Sequence, residues 1–103
     1  MQIQVNAGDI HSSPAIQQRV QDEVSQALDA WSDRVTRVEV HLHDEDGPKH
    51  SNADKRCVME VRLAGLDPMV VEHSADDMYG AIQHAAGKLR KIVHRTIERR
   101  RDH

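Results

Sequence analysis

Residues 88–101, KLRKIVHRTIERRR, hold seven of the chain's fourteen lysines and arginines against a single acid. The chemistry open to such residues is electrostatic: ammonium and guanidinium groups neutralise anionic oxygens and donate charge-assisted hydrogen bonds to them. Their spacing is helical. With Leu89 at zero and 100° per residue, Leu89, Val93, Ile82, Met78, Ala85 and Ala86 fall within about 60° on either side. Lys88, Lys91, Arg95 and Arg99 fall together on the side away from that apolar stripe, with Arg90 and His94 on the other flank. The row spans about three turns, roughly 16 Å. That length suits a succession of phosphates better than one small anion.

The rest of the chain has the opposite sign. Residues 1–82 carry seven bases and fifteen acids, and residues 83–103 seven bases and two acids, within a net charge of -3. Such asymmetry speaks about partners, not fold. Phe is absent, with one Trp and one Tyr, so the aromatic ladder of a single-strand reader is missing. No helix-turn-helix spacing supports reading of DNA bases. Structured RNA, recognised by shape and phosphate, is the class that fits. The alternatives are a regulator whose basic helix docks on an acidic protein surface, and a general structured-RNA binder.

The elements that must position this row follow from periodicity. QIQVN (2–6) alternates as a short strand, with Ile3 and Val5 on one side. Ser13-Pro14 starts a helix, a capping hydroxyl followed by proline at the first helical position. Ile16, Val20, Val24, Ala27, Leu28 and Trp31 form its apolar face, to about residue 32. Val38, Val40 and Leu42 define a second strand over 35–43, against Glu39, His41 and His43. Residues 44–55 read as a polar loop containing Gly47-Pro48. Cys57, Met59, Val61 and Leu63 mark a third strand over 56–64, and MVVEHS (69–74) a weaker fourth. Ser74-Ala75-Asp76-Asp77 fits a capping pattern before the long final helix. The expected fold is α+β: a two-layer β-α-β-β-β-α arrangement, a four-stranded sheet with both helices on one face. Residues 1–103 make one domain, with 99–103 expected to fray.

Other chemistries find less support. Eight histidines invite a metal. His41 and His43 share a strand face that His73 could join, but zinc needs three or four preorganised ligands and no further spacing supplies them. Asp44-Glu45-Asp46 lacks the ligand register of a calcium loop. Histidine as a residue type titrates near neutrality, which makes His84 and His94 candidates for a pH response, but they read as surface bystanders. Cys57 sits in an apolar strand pattern as buried filler. No nucleophile elbow or glycine-rich phosphate loop appears. The expectation is therefore no enzyme, no metal and no cofactor. One cysteine without a signal-like leader points to the cytoplasm. No apolar run reaches the roughly 18 residues of a membrane span.

MQIQVNAGDI at the start, Ser13-Pro14-Ala15-Ile16, Trp31-Ser32-Asp33-Arg34-Val35 and above all DDMYGAIQHAAGKLRK (76–91) carry a resemblance across essentially the whole chain. It resembles the short ribosome hibernation-promoting factors, also called ribosome-associated inhibitor A or sigma-factor modulation proteins. The resemblance implies a β-α-β-β-β-α fold and binding to the small ribosomal subunit, in the channel of messenger and transfer RNA. A protein there would block translation and protect idle ribosomes. By position in the family signature, Lys88, Lys91 and Arg95 match basic sites that contact ribosomal RNA, and Tyr79 and Asp77 match its aromatic and its acid. Arg99 and Arg90 join these as candidate RNA-binding residues on charge and helical register. The chain departs from the family in three places. Its first helix has Arg19 followed by QDEVSQALD where the family is commonly basic. Gly87 stands where an acid is usual, and the loop at 44–55 is longer and more acidic. The second, dimerising domain of long family forms is absent, so self-driven ribosome pairing is not implied and a separate factor would be needed; the free protein is expected to be a monomer.

Overall fold

The computed structural model describes residues 1–8, 13–45 and 54–101. The chain runs β1 (Gln2–Asn6), α1 (Pro14–Leu28), a short 3-10 turn (Asp29–Trp31), β2 (Val35–Asp44), β3 (Lys55–Leu63), β4 (Met69–Ala75) and α2 (Met78–Arg101). The strands form one sheet in the order β1-β2-β3-β4. β1 pairs parallel with β2, which the α1 crossover permits, and the remaining pairs are antiparallel. Both helices lie on one face of the sheet, side by side, with α2 against β3 and β4. This is the α+β arrangement expected from the periodicities.

Cross-strand register puts the apolar residues in rows. Val38 pairs with Val61, Val40 with Met59 and Leu42 with Cys57, and all six are buried. Val20, Val24 and Leu28 of α1 and Ile82, Leu89 and Val93 of α2 close over them, each with no measurable exposure. The buried set holds no polar or charged residue among the described residues, so the core rests on aliphatic burial, at roughly 25 cal/mol per Å² of apolar surface removed from water. Val35 is also buried, although strict alternation from Val38 would turn it outward. A register shift between Val35 and Arg37 inserts the extra residue that turns it back inward.

The helix starts differ in how far sequence located them. Ser13 caps α1 as expected, its Oγ accepting from the Ile16 N–H at 3.1 Å. At α2 the cap is Asp77, not Ser74: the Asp77 carboxylate accepts from the Gly80 N–H at 2.7 Å. Ser74 is taken up in β4, paired with Arg56, and the sheet ladder outcompetes the alternative cap. β2 and β3 also run further into the expected loop, to an Asp44–Lys55 pair. There the Lys55 ammonium bridges Asp44 at 2.9 Å and Asp54 at 3.2 Å, and Arg56 meets Glu45 at 3.2 Å. Two of the three acids considered for calcium are therefore ion-paired. Asp46 and Gly47-Pro48 lie outside the described residues. α2 continues through Arg101, and residues 102 and 103 of the segment expected to fray lie outside the described residues.

Gly87 sits in the middle of α2 with nothing within 4 Å of where a Cβ would stand. Gly87→Ala is expected to stabilise the protein by up to about 1 kcal/mol, the helix-propensity difference. Urea denaturation followed by circular dichroism measures it. Gly80→Ala should gain less, because its Cβ would come 3.2 Å from the capping Asp77 carboxylate.

Candidate nucleic-acid interface

α2 presents its cations as helical geometry requires once Leu89, Val93 and Ile97 are fixed in the core. Lys88, Arg90, Lys91, Arg95, Arg99 and Arg100 are all exposed. Lys91, Arg95 and Arg99, with His94 and Glu98, line a shallow depression on the outer side of the helix. No ion pair to a described residue takes up the guanidinium of Arg95 or Arg99 or the Lys91 ammonium. Their charge is therefore presented to solvent. Its macrodipole context is favourable, since Arg99 and Arg100 stand near the negative end of α2.

Lys88 differs from the others in the row. Its Nζ donates to the backbone carbonyl of Glu72 at 2.8 Å, tying the side chain to the edge strand β4. One of three ammonium N–H groups is used, leaving two. Arg90 faces the other way, into the groove between the helices, lined by Glu23, Gln26, Ala27, Gln83, Ala86 and Gly87. The structure thus gathers Lys91, Arg95 and Arg99 on one outward row, sets Lys88 at its sheet-side margin, and places Arg90 on the acidic α1 side.

Tyr79, in the first turn of α2, is 41% exposed. The Arg19 guanidinium of α1 lies 5.7 Å from its ring centroid and pairs with Glu23 at 3.0 Å. A cation over a phenol face is a favourable contact. It joins residues sixty positions apart in sequence, so no local pattern reveals it. The same holds for His73 and His84, whose rings stack at 4.8 Å with planes 24° apart. His84 itself was findable: it precedes Lys88 by four residues and so continues the same helical row.

His73 does not join His41 and His43. Its cross-strand partner is Cys57, on the helix-covered face, whereas His41 pairs with Asn6 and Val58 on the open face. Among the described residues no group of three or more His, Cys, Asp or Glu side chains could hold a metal ion. Cys57 is fully buried, and burial pushes its thiol up to about 12, far from nucleophilic thiolate character. No described helix is long and apolar enough to cross a membrane.

Comparison with known proteins bears on the family and the fold. A family model described as Sigma 54 modulation protein / S30EA ribosomal protein matches residues 3–101. A ribosome hibernation promoting factor of Acinetobacter guillouiae is 31% identical over 104 residues, covering 95% of this chain and 90% of the relative. Among solved structures, a ribosomal subunit interface protein from Coxiella burnetii superposes with a TM-score of 0.79 at 18% identity, over 95% of this chain and 99% of that one. The N-terminal domain of Thermus thermophilus Protein Y gives 0.74 at 23% identity, over 93% and 99%. At these identities the two structures establish likeness of fold.

Proposed function

The chain belongs to the Sigma 54 modulation protein / S30EA ribosomal protein family, and from that premise we propose that it is a cytoplasmic hibernation factor that binds the small ribosomal subunit and blocks the messenger and transfer RNA channel. The family is one of ribosome-associated factors, not of enzymes. The observation that carries the proposal is the outward row of Lys91, Arg95 and Arg99 with Lys88 at its margin, held on a helix whose opposite side is locked into the core. A rigid row costs little side-chain and backbone ordering beyond the lysine and arginine stems themselves when it meets a fixed polyanion. Inhibition is then steric. The folded domain occupies space that translating RNA needs, and Tyr79 and Arg90 flank the contact. No cofactor is required, and a single domain acting as a monomer suffices.

The acidic α1 limits how the domain can lie on RNA. Asp22 on its outer side and Asp29 in the turn that follows it are exposed, and like charge repels a phosphate surface. The domain therefore meets RNA with the outer and β4-side flank of α2, turning α1 away.

Co-sedimentation with purified small subunits across a salt series tests the proposal. Each phosphate neutralised adds about 0.7–0.9 to the slope of log affinity against log salt. Four or five contacts predict a slope of about -3 to -4.5. A protein that stays in the supernatant at low salt refutes ribosome binding, and a flat salt response refutes the phosphate row. Competition by bulk duplex RNA at equal affinity would instead indicate a general structured-RNA binder.

A further inference from the structure

The basic row does not end at Lys88. His84 lies one helical turn before it, so His84, Lys88, Lys91, Arg95 and Arg99 follow one another at steps of four, three, four and four along a length of roughly 22 Å. His84 is exposed. Its Nδ1 lies 2.9 Å from the Gly80 carbonyl and, since that oxygen can only accept, Nδ1 donates. Nε2 is left as the atom that takes up the second proton. Against the His84 ring stacks His73 of β4, and the Lys88 ammonium is anchored beside them on the Glu72 carbonyl. Two imidazoles and an ammonium thus converge where β4 meets α2.

Resting on the ribosome-binding reading above, we infer that His73, His84 and Lys88 form a phosphodiester-binding end of the α2 row that takes up protons as RNA binds, so that the grip on RNA tightens as pH falls from 8 to 6.

The physical argument concerns like charge. Three cations gathered where β4 meets α2 repel one another, so the fully charged cluster is unfavourable in the free protein. Consistently, the His73 imidazole is held below its ordinary value by loss of solvent first, then by the nearby charges of Lys88 and His84. The other groups around the cluster do not relieve this. On β4, the Glu72 carboxylate is turned to the open face of the sheet, 3.7 Å from Arg56. On β3, the Cys57 thiol stays neutral. At the start of α2, the Asp77 carboxylate keeps its charge but is directed to the Gly80 N–H, and it is not among the groups acting on His73. A phosphate oxygen supplies the missing negative charge. It accepts from the remaining Lys88 N–H groups and from protonated Nε2, and it raises the affinity of both imidazoles for protons. A group that binds its proton more tightly in the complex than in the free state adds affinity as pH falls. The sign for the free domain is opposite. His73 favours its neutral form when folded, so its contribution to stability is present above the unfolded histidine value near 6.5 and declines as pH drops below it.

The test is binding to purified small subunits at pH 8 and pH 6, at one ionic strength, for the wild type and four variants checked for helicity by circular dichroism. The quantity read is the ratio of the two affinities. For the wild type it should be about tenfold, within the limit of tenfold per proton per pH unit. His84→Gln should reduce it, and His73→Gln/His84→Gln should bring it below about threefold. His84→Lys should bind more tightly than the wild type at pH 8, with a smaller ratio. His41→Gln should keep the wild-type ratio, since His41 lies on the open face of the sheet, paired with Asn6 and Val58 and away from α2. Tight binding that does not change between pH 8 and pH 6 overturns the inference and leaves the ribosome reading standing. So does a pH dependence that survives the double variant or vanishes with His41→Gln. Absence of binding at either pH overturns both.

Discussion

Charge reversal at Lys91, Arg95 and Arg99 together is expected to lower affinity for the small subunit by about a thousandfold while leaving the fold intact. Each side chain is exposed, and no ion pair to a described residue is broken by the change. A charge-assisted hydrogen bond contributes about 1.5–3 kcal/mol, so three lost contacts amount to at least 4 kcal/mol, or three decades. Three new negative charges facing phosphate oppose binding further. The folded state loses less. Exposed substitutions away from caps and core usually lie within ±0.5 kcal/mol, and an acid near the C-terminus of a helix adds about 0.3–1 kcal/mol of unfavourable dipole energy. Lys88 is left out of the triple variant because its ammonium also ties α2 to the Glu72 carbonyl, so changing it would alter packing and charge together. Sedimentation at low salt measures binding, and thermal denaturation measures the fold. Unchanged binding would reject the row as the site of contact. A collapse of helicity would show that these residues support the core.

The same contrast between local and distant determinants explains how much could be read from sequence. Strand and helix assignments rest on periods of two and 3.6, carried by runs such as Val38-x-Val40-x-Leu42 and Ile82…Leu89…Val93, and burial in the structure follows those runs. The outward row on α2 is the complement of the apolar stripe, so it was legible as well. Competition between equally good local signals was not. Ser74 fits both the end of the fourth strand and the start of a capping pattern, and the choice was made by β4 pairing with β3, which leaves the cap to Asp77. The bulge that turns Val35 inward likewise depends on its partner strand. Contacts that join distant segments, Arg19 with Tyr79 and His73 with His84, leave no periodic trace. The Lys88 anchor on β4 belongs with them, and it changes one member of the row from a free cation to a partly committed one.

Leu89→Ala should destabilise the domain more than any surface change and so separate the helix's two roles. Leu89 has no measurable exposure and packs in the aliphatic cluster with Val93, Ile82 and the sheet residues Met59 and Val61. Removing three carbons from such a site costs the lost transfer energy plus a cavity term, about 2–5 kcal/mol. A domain of this size holds only about 5–15 kcal/mol in total. Each kcal/mol shifts the midpoint by roughly 4–8 °C, so a fall of about 8–40 °C is expected in thermal denaturation. Strands β3 and β4 anchor α2 from below, and the cations of the outward row are exposed where Leu89 is buried. At a temperature where the variant remains folded, its affinity for the small subunit should therefore stay within about threefold of wild type, since a core truncation and a surface contact with no shared partner are nearly independent. The pair of results is diagnostic. If binding falls along with the midpoint under folded conditions, the row depends on the exact seating of α2 against the sheet and is not a rigid display on one face of it. If the midpoint barely moves, Leu89 is not at the centre of the core.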